Sequence, residues 1–449
     1  MTLRNETDSG ARRARVEGRV GARRHALGAI ATAAGAAVVT LALIVPALPA
    51  PDAGPIKIGV LVPLTGNFAA PGQQTLAGLK IYFDGIGNKA GGHPLELIVE
   101  DTQGNPEVAV TKTRKLVERD GVQVLTGIVS SAVALAVSDY SRTNQVPLVL
   151  SGDAATDELT MPGKLANPYL VRLTENSRTP SAVAADFAYK TKGWRTATVI
   201  TSDYVAGVDL AFAFAQRFCQ LGGKVTQAQY PPLDTGDYGP YLTNLDRTAN
   251  AMVVFTPGAA GLKLGRQFAE FGLKGKLPEL DLFGTLTYES YLPQLGDAAL
   301  GAYSALIYTP YLNTALNKSF VAEFRKRTGN QATNEGPSGW TGAHAIADAI
   351  DAVKGDLSDK TKFMGALRTA KFDTPKGSIS LDKDGMVVQS MYIREVQKVG
   401  AELGNVPIAT YHDIGQYWPY SETEFQSFAH TYNDSKDKLT DCAWLLAKK

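Results

Sequence analysis

The chain has 449 residues, with 45 Lys or Arg against 44 Asp or Glu; it is 44% hydrophobic and 20% charged, as a globular protein with more than one core should be. The first 25 residues hold seven of the basic groups and three of the acidic ones, which leaves 38 basic against 41 acidic, a net of −3 for the rest. A slightly acidic body argues against sequence-independent nucleic-acid binding, two Cys exclude a disulfide-dense scaffold, and five His (25, 93, 344, 412 and 430), none paired at ligand spacing, argue against a metal centre.

In chain order, Arg12, Arg13, Arg15, Arg19, Arg23 and Arg24 precede an uncharged run, 26–50, that ends in small residues and Pro. A basic stretch, an apolar segment and a small-residue end are the parts of a secretory signal, assigned here to 1–53. An uncleaved membrane anchor is the alternative, although Ala and Gly make the run only mildly apolar. No Cys lies near it, which excludes a lipidated cysteine. Export would place Cys219 and Cys442 in an oxidising compartment, where they either pair or leave Cys219 as a buried thiol.

From residue 56 short apolar runs alternate with longer amphipathic ones. Strands are predicted at 56–62, 95–100, 122–128, 146–150, 196–201, 251–255 and 280–283, rich in Val, Ile and Leu without strict alternation, as parallel strands covered on both faces are. Helices are predicted between them at 73–88, 107–120, 132–143, 180–192, 205–221, 238–248 and 261–271, then at 319–328, 340–354 and 360–369. Strands alternating with helices imply βαβ units with right-handed crossovers. Two such series are visible, separated by extended segments near 167–174, 303–311 and 372–377 that read as crossings between two α/β lobes. The lobes are assigned as 54–175 with 304–371 and 176–303 with 372–412. A hairpin is expected around Asp382-Lys-Asp-Gly385, and 413–449 is a tail without a place.

Ligands of such sheets lie beyond the carboxyl ends of the strands. Those loops carry no phosphate-binding Gly-rich motif, no Gly-x-Ser-x-Gly elbow and no His to activate a nucleophile. The chain is therefore expected to be neither an enzyme nor a cofactor binder. The loops hold hydroxyl, Gly and aromatic residues instead: Thr65 and Phe68 after the first strand, Ser130 and Ser131 before a helix, Asp153, Ala154 and Ala155 after the fourth strand, and Tyr204 in the second series. A helix N-terminus with a Ser hydroxyl beside it makes a carboxylate site. Each residue alone has a plainer reading, as cap, turn or packing, so the case rests on their convergence on one cleft.

Read in order, Ile56-Lys-Ile-Gly-Val-Leu-Val-Pro-Leu-Thr-Gly66, Gly72-Gln-Gln-Thr-Leu-Ala-Gly-Leu-Lys80, Leu97-Ile-Val-Glu-Asp-Thr-Gln-Gly-Asn-Pro106, Gly127-Ile-Val-Ser-Ser131, Ala154-Ala-Thr-Asp-Glu-Leu-Thr160 and Gln267-Phe-Ala-Glu-Phe-Gly-Leu-Lys-Gly275 resemble the branched-chain amino acid type of periplasmic solute-binding protein. The resemblance runs to about residue 396. It implies the type I fold, two Rossmann-like lobes joined by three hinge crossings, and a small-molecule ligand trapped when the lobes close. It also implies a monomer whose closed form docks on the membrane permease of an ABC transporter. By the same resemblance Ser131 meets the ligand carboxylate, Asp153, Ala154 and Ala155 add contacts, and Tyr204 covers the ligand. Amino-acid binders of this type carry an acid near 285–287 for the α-ammonium, where Leu286 stands here. An ammonium without a partner in a closed cleft costs several kcal/mol, and Asp153 is the carboxylate left to supply one. Asn167 to Asn176, Asp203 to Gly207 and Asp237 to Thr243 resemble the branch that takes aromatic acids. The expectation is thus a small organic carboxylate, aromatic, hydrophobic or a branched-chain amino acid, with a ligand-sensing module as the alternative function.

Overall fold

The uninterrupted apolar runs fold as interior strands of two sheets. The computed structural model describes residues 54–429 and 436–449, so the expected export segment lies outside the described residues. The first sheet runs in the order Lys89–Ala90, His93–Asp101, Ile56–Val62, Val124–Gly127, Leu148–Leu150, Leu170–Arg172, parallel except for its first pair. Helix Ser131–Asn144 covers one face, setting Val133 and Val137 on Leu61, Leu125 and Leu148. The other face takes Ala69–Gly85 and, from far along the chain, Glu335–Ala352 and Lys360–Arg368; Leu79, Phe83, Ile346 and Phe363 meet Ile58 and Val60 there. The first two of these helices touch through glycine: a Cβ on Gly78 would stand 1.8 Å from the Gly336 carbonyl oxygen. Any side chain at that point would force them apart.

The second sheet has a parallel heart of Lys224–Gln229, Thr196–Thr201, Ala251–Phe255, Glu279–Asp281 and Tyr303–Leu306. Antiparallel Val387–Val399 extends it, with Glu402–Ile414 paired along that strand. Both parallel hearts are wound alike: the second strand in the chain lies outside the first, and the third lies on the first strand's other side. Each sheet therefore has a switch point beside its first strand, which is where ligands of open α/β sheets lodge.

The crossings fall differently from expectation. Leu170–Arg172 is the edge strand of the first sheet, and the connection proper is the buried stretch 173–177. Tyr303–Leu306 likewise belongs to the second sheet. No crossing lies at 372–377: Lys371–Thr374 and Gly377–Leu381 pair as a hairpin turned by Pro375 and Lys376. Ile379, Met386 and Val387 pack in the first sheet's core, whereas Met391 and Ile393 pack in the second's. The chain thus passes between cores inside Val387–Val399, because a long strand can change partners without a break. The assigned lobe boundary at 372 moves accordingly toward the start of that strand.

The unplaced tail is anchored. Cys219 and Cys442 form a disulfide across 223 residues, helix Cys442–Leu445 rests on helix Val205–Gln220, and Leu439 and Leu445 join the second core. The paired alternative for Cys219 therefore holds. A cross-link over so long a separation is worth about 2–4 kcal/mol. The double variant Cys219→Ser/Cys442→Ser is expected to lose about that much stability in urea unfolding, with the tail cut early by limited proteolysis. An unfolding midpoint equal to that of the oxidised native protein would refute the claim.

Between the sheets, crossing 173–177 carries Glu175, whose oxygens have no hydrogen-bond partner, and Lys376 donates its Nζ to the Leu173 carbonyl at 2.5 Å. Burial raises the Glu175 pKa to about 7 against the pull of Lys376, and burial lowers Lys376 to about 8 against Glu175 and Asp153. A carboxyl with a raised folded pKa favours the fold at low pH, and that contribution is lost as pH climbs from the ordinary 4.5 through about 7. Stability is expected to drop by about 3 kcal/mol over this window. Glu175→Gln should flatten the dependence, measured by urea unfolding; an unchanged slope in the variant would count against Glu175 as its source.

Candidate ligand-binding site

The carboxyl ends of the two sheets face one another, and a cavity lies between them. Its volume is about 20 Å³. From the first sheet it is lined by Phe68 after Ile56–Val62, Val129 and Ser131 after Val124–Gly127, and Asp153 and Ala155 after Leu148–Leu150. From the second it takes Tyr204 and Ala206 after Thr196–Thr201, Phe255 and Pro257 at the end of Ala251–Phe255, and Phe283, Thr285 and Tyr288 after Glu279–Asp281. The lining is aromatic on both sides, with hydroxyls and one carboxyl.

The turn into helix Ser131–Asn144 sets the geometry. Gly127 has φ +102°, and a Cβ there would meet the Leu61 carbonyl oxygen at 2.6 Å. Ile128 follows at φ +68°, a conformation that costs a β-branched residue about 1–3 kcal/mol. Ser151 Oγ braces the turn by accepting from the Gly127 amide at 3.2 Å. The result aims the first amides of the helix at the cavity. Ser130 caps the helix, its Oγ accepting from the Val133 amide at 3.5 Å. Ser131 Oγ accepts from the Ala155 amide at 2.9 Å and so ties the two loops together.

The free amides of that helix already have a partner from the other sheet. The Tyr204 hydroxyl accepts from the Ser131 amide and, at 3.4 Å, from the Ala132 amide, and it shares a hydrogen with Ser130 Oγ at 3.2 Å. Its ring lies 6.2 Å from that of Phe68. Burial raises the Tyr204 pKa, opposed by these hydrogen bonds. A second tie joins the same lips: Asn67 Nδ2 donates to the Pro257 carbonyl at 3.3 Å, and Asn67 Oδ1 accepts from the Ala259 amide at 3.1 Å.

Behind the cavity lies a patch of buried acid. Asp153 Oδ2 accepts from Asn334 Nδ2, and Glu335 Oε2 accepts from Thr333 Oγ1. Burial, then repulsion by Glu335 and Glu175, hold the Asp153 pKa well above the ordinary carboxyl range, with Lys376 pulling the other way. Tyr288, which lines the cavity, is also raised by burial and by the charges of Glu335 and Asp153. Burial and the two neighbouring acids thus both disfavour the ionised form of Asp153.

Of the residues singled out in the sequence, Phe68, Ser131, Asp153, Ala155 and Tyr204 meet at the cavity, with Ser130 directly behind. Three do not. Thr65 is exposed, and its hydroxyl donates to Asp101 Oδ2 at 2.6 Å. Ala154 points into the core beneath the first sheet. Leu286 is buried in the second core with Leu264 and Phe268, and its amide donates to Asp281; its neighbours Thr285 and Tyr288 face the cavity instead. Phe255, Pro257, Phe283 and Tyr288 were missed as site residues, although each sits at or just past a strand's carboxyl end.

The sequence and fold have counterparts in known proteins. Residues 55–401 match the periplasmic binding protein family. Leu/Ile/Val-binding protein homolog 6 of Brucella melitensis is 33% identical over 372 residues, which span 81% of this chain and 93% of that one. A solute-binding protein of an ABC transporter from Rhodopseudomonas palustris BisB5, solved with 3,4-dihydroxybenzoic acid, is 31% identical, with a TM-score of 0.76 over 80% of this chain and 98% of that one. A second R. palustris solute-binding protein, solved with 4-hydroxybenzoate, is 30% identical, with a TM-score of 0.75 over 81% and 98%. Extent and identity together settle the family: the chain belongs to the periplasmic binding proteins.

Proposed function

We propose that the protein is the extracytoplasmic solute-binding component of an ABC importer and that its ligand is a small aromatic carboxylate. The observation that carries the ligand class is the pairing of desolvated helix amides at Ser131 and Ala132 with an aromatic lining from both sheets. Such amides favour an anionic oxygen, and Phe68, Phe255, Phe283 and Tyr288 offer faces and edges for a ring. Relatives at 30–31% identity hold hydroxybenzoic acids, which supports this chemistry. Ser131 is the anchor of the carboxylate in this reading, with Ser130 and the Ala155 loop bracing it. Export to the periplasm, action as a monomer and docking of the closed form on a permease belong to the same proposal. No helix among the described residues is long and apolar enough to cross a membrane.

A branched-chain amino acid is the second reading, favoured by the Brucella relative's name. Its α-ammonium would need an ionised acid at the cavity. Asp153 is the one carboxyl in the lining, and burial beside Glu335 and Glu175 works against its ionisation.

Isothermal titration with 4-hydroxybenzoate, 3,4-dihydroxybenzoate, benzoate and leucine separates the readings. Saturable binding of the acids with weak or no leucine binding is expected; tight leucine binding with no response to the acids would overturn the proposal. Asp153→Asn gives an independent check. It keeps a hydrogen-bonding side chain of the same size, and the proposed carboxylate contacts lie at Ser131 and Ala132, so affinity for the aromatic acids should stay within about threefold. A loss of about 100-fold in leucine affinity, with the acids unaffected, would instead identify Asp153 as the partner of the α-ammonium and favour the second reading.

A further inference from the structure

We infer that the Tyr204 hydroxyl is a built-in competitor of the ligand, standing where the ligand's anionic oxygen must go. The inference rests on the proposed carboxylate site and deepens it, because it assigns Tyr204 a role opposite to that of a ligand contact.

Three observations carry it. Tyr204 belongs to the second sheet's loop, yet its oxygen accepts from two successive amides at the start of a first-sheet helix, Ser131 and Ala132, and reaches Ser130 Oγ at 3.2 Å. These are the donors that a carboxylate would use, so the phenol and the ligand exclude one another. The cavity that remains is about 20 Å³, far below the several hundred Å³ of ordinary ligand pockets. A ring-sized acid therefore enters only after the Tyr204 contact and the Asn67 tie to Pro257 and Ala259 have parted. The exchange is also chemically uneven. A phenol is a neutral acceptor and a carboxylate a charged one, and charge-assisted hydrogen bonds are roughly twice as strong. An anion can displace Tyr204, whereas a neutral molecule of the same shape gains little by doing so.

The consequence is a uniform handicap. Every ligand that uses these amides must first release Tyr204, so its apparent affinity is reduced by the same factor and the ratios between such ligands are unchanged. Weak neutral ligands then fall below useful affinity and charged ones remain above it. On release the hydroxyl reoccupies the amides, so they are not left buried without an acceptor.

The test is Tyr204→Phe, which keeps the ring against Phe68 and removes only the oxygen. If Tyr204 competes, the dissociation constants of benzoate and 4-hydroxybenzoate fall together by about fivefold in the variant. If Tyr204 is a ligand contact, they rise; a rise or no change overturns the inference. A readout without ligand is hydrogen exchange of the Ser131 and Ala132 amides, which should be about fivefold faster in Tyr204→Phe than in the native protein, with Asn67→Ala as the comparison that opens the same lip elsewhere. Should neither acid bind either protein, the proposed ligand class fails and exchange alone decides. Faster exchange confined to Tyr204→Phe supports the competitor, and equal protection in the native protein and in Tyr204→Phe refutes it.

Discussion

Backbone amides at the start of helix Ser131–Asn144 are buried between two sheets, and a buried amide needs an acceptor. This constraint organises the cleft. The turn that creates it is strained at Ile128 and admits only glycine at 127 without a clash, so the direction of the amides is fixed by the first sheet. The acceptor, however, comes from the second sheet, in the form of the Tyr204 hydroxyl. Satisfying one helix end is therefore the same event as joining two lobes. A cleft built this way couples its state of closure to what sits on the amides, because removing the acceptor leaves donors buried and costs about 1–3 kcal/mol for each.

The electrostatics behind the cavity are arranged around the same demand. Asp153, Glu175 and Glu335 gather near Lys376, a poor environment for a second anion if all three acids were charged. Burial eases the conflict at two of them: it raises the Asp153 pKa well above the ordinary range and that of Glu175 to about 7. Burial likewise lowers the Lys376 ammonium to about 8, so desolvation works against charge on both signs of group in this patch. The cavity thus offers directed amide dipoles and hydroxyls, the features on which the proposed carboxylate site rests, with no Lys or Arg in its lining.

Much of this was legible in the sequence because periodicity reports burial. The runs 56–62, 196–201 and 251–255 are rich in β-branched and other apolar residues without strict alternation, and all three are interior parallel strands with those bounds. Ser130-Ser131 before an apolar-periodic run marked a helix start, and the structure caps the helix at Ser130. Failures occurred where local pattern carries no tertiary information. Leu170–Arg172 is three residues long and follows Pro168, too short to show a period. The stretch 372–377 reads as extended because both halves of a tight hairpin are extended, and only the core that Phe372 and Ile379 join reveals that it packs with the first sheet, even though its hydrogen bonds run through Val387–Val399 to the second. Leu286 was placed by resemblance at a position whose side chain turns into the core, one residue past Thr285, which faces the cavity. Helix-to-strand spacing finds the right loop; it does not say which residue of the loop faces inward. Nor could sequence show that Tyr204 bonds to amides 72 and 73 residues away.

The tail that no pattern placed bears on the same site through one helix. Val205–Gln220 begins immediately after Tyr204 and carries Cys219 near its far end. The disulfide to Cys442, the Phe212–Trp444 edge contact at 6.0 Å and the Gln216 side chain on the Leu445 carbonyl hold three successive turns of that helix against the tail. Its other side packs on helix Arg178–Asp186, where Arg217 meets Asp186 at 2.6 Å. A helix fixed on two sides cannot rotate about its axis or slide without breaking several of these contacts, so Tyr204 is carried by a rigid element and not by a free loop. Its hydroxyl can leave the Ser131 amide only by rotation of its own side chain or by movement of the whole lobe. The second route also parts the Asn67 tie to Pro257 and Ala259 and the first leaves it in place, which is why a residue at the N-terminus of this helix is suited to linking occupancy of the amides with separation of the sheets.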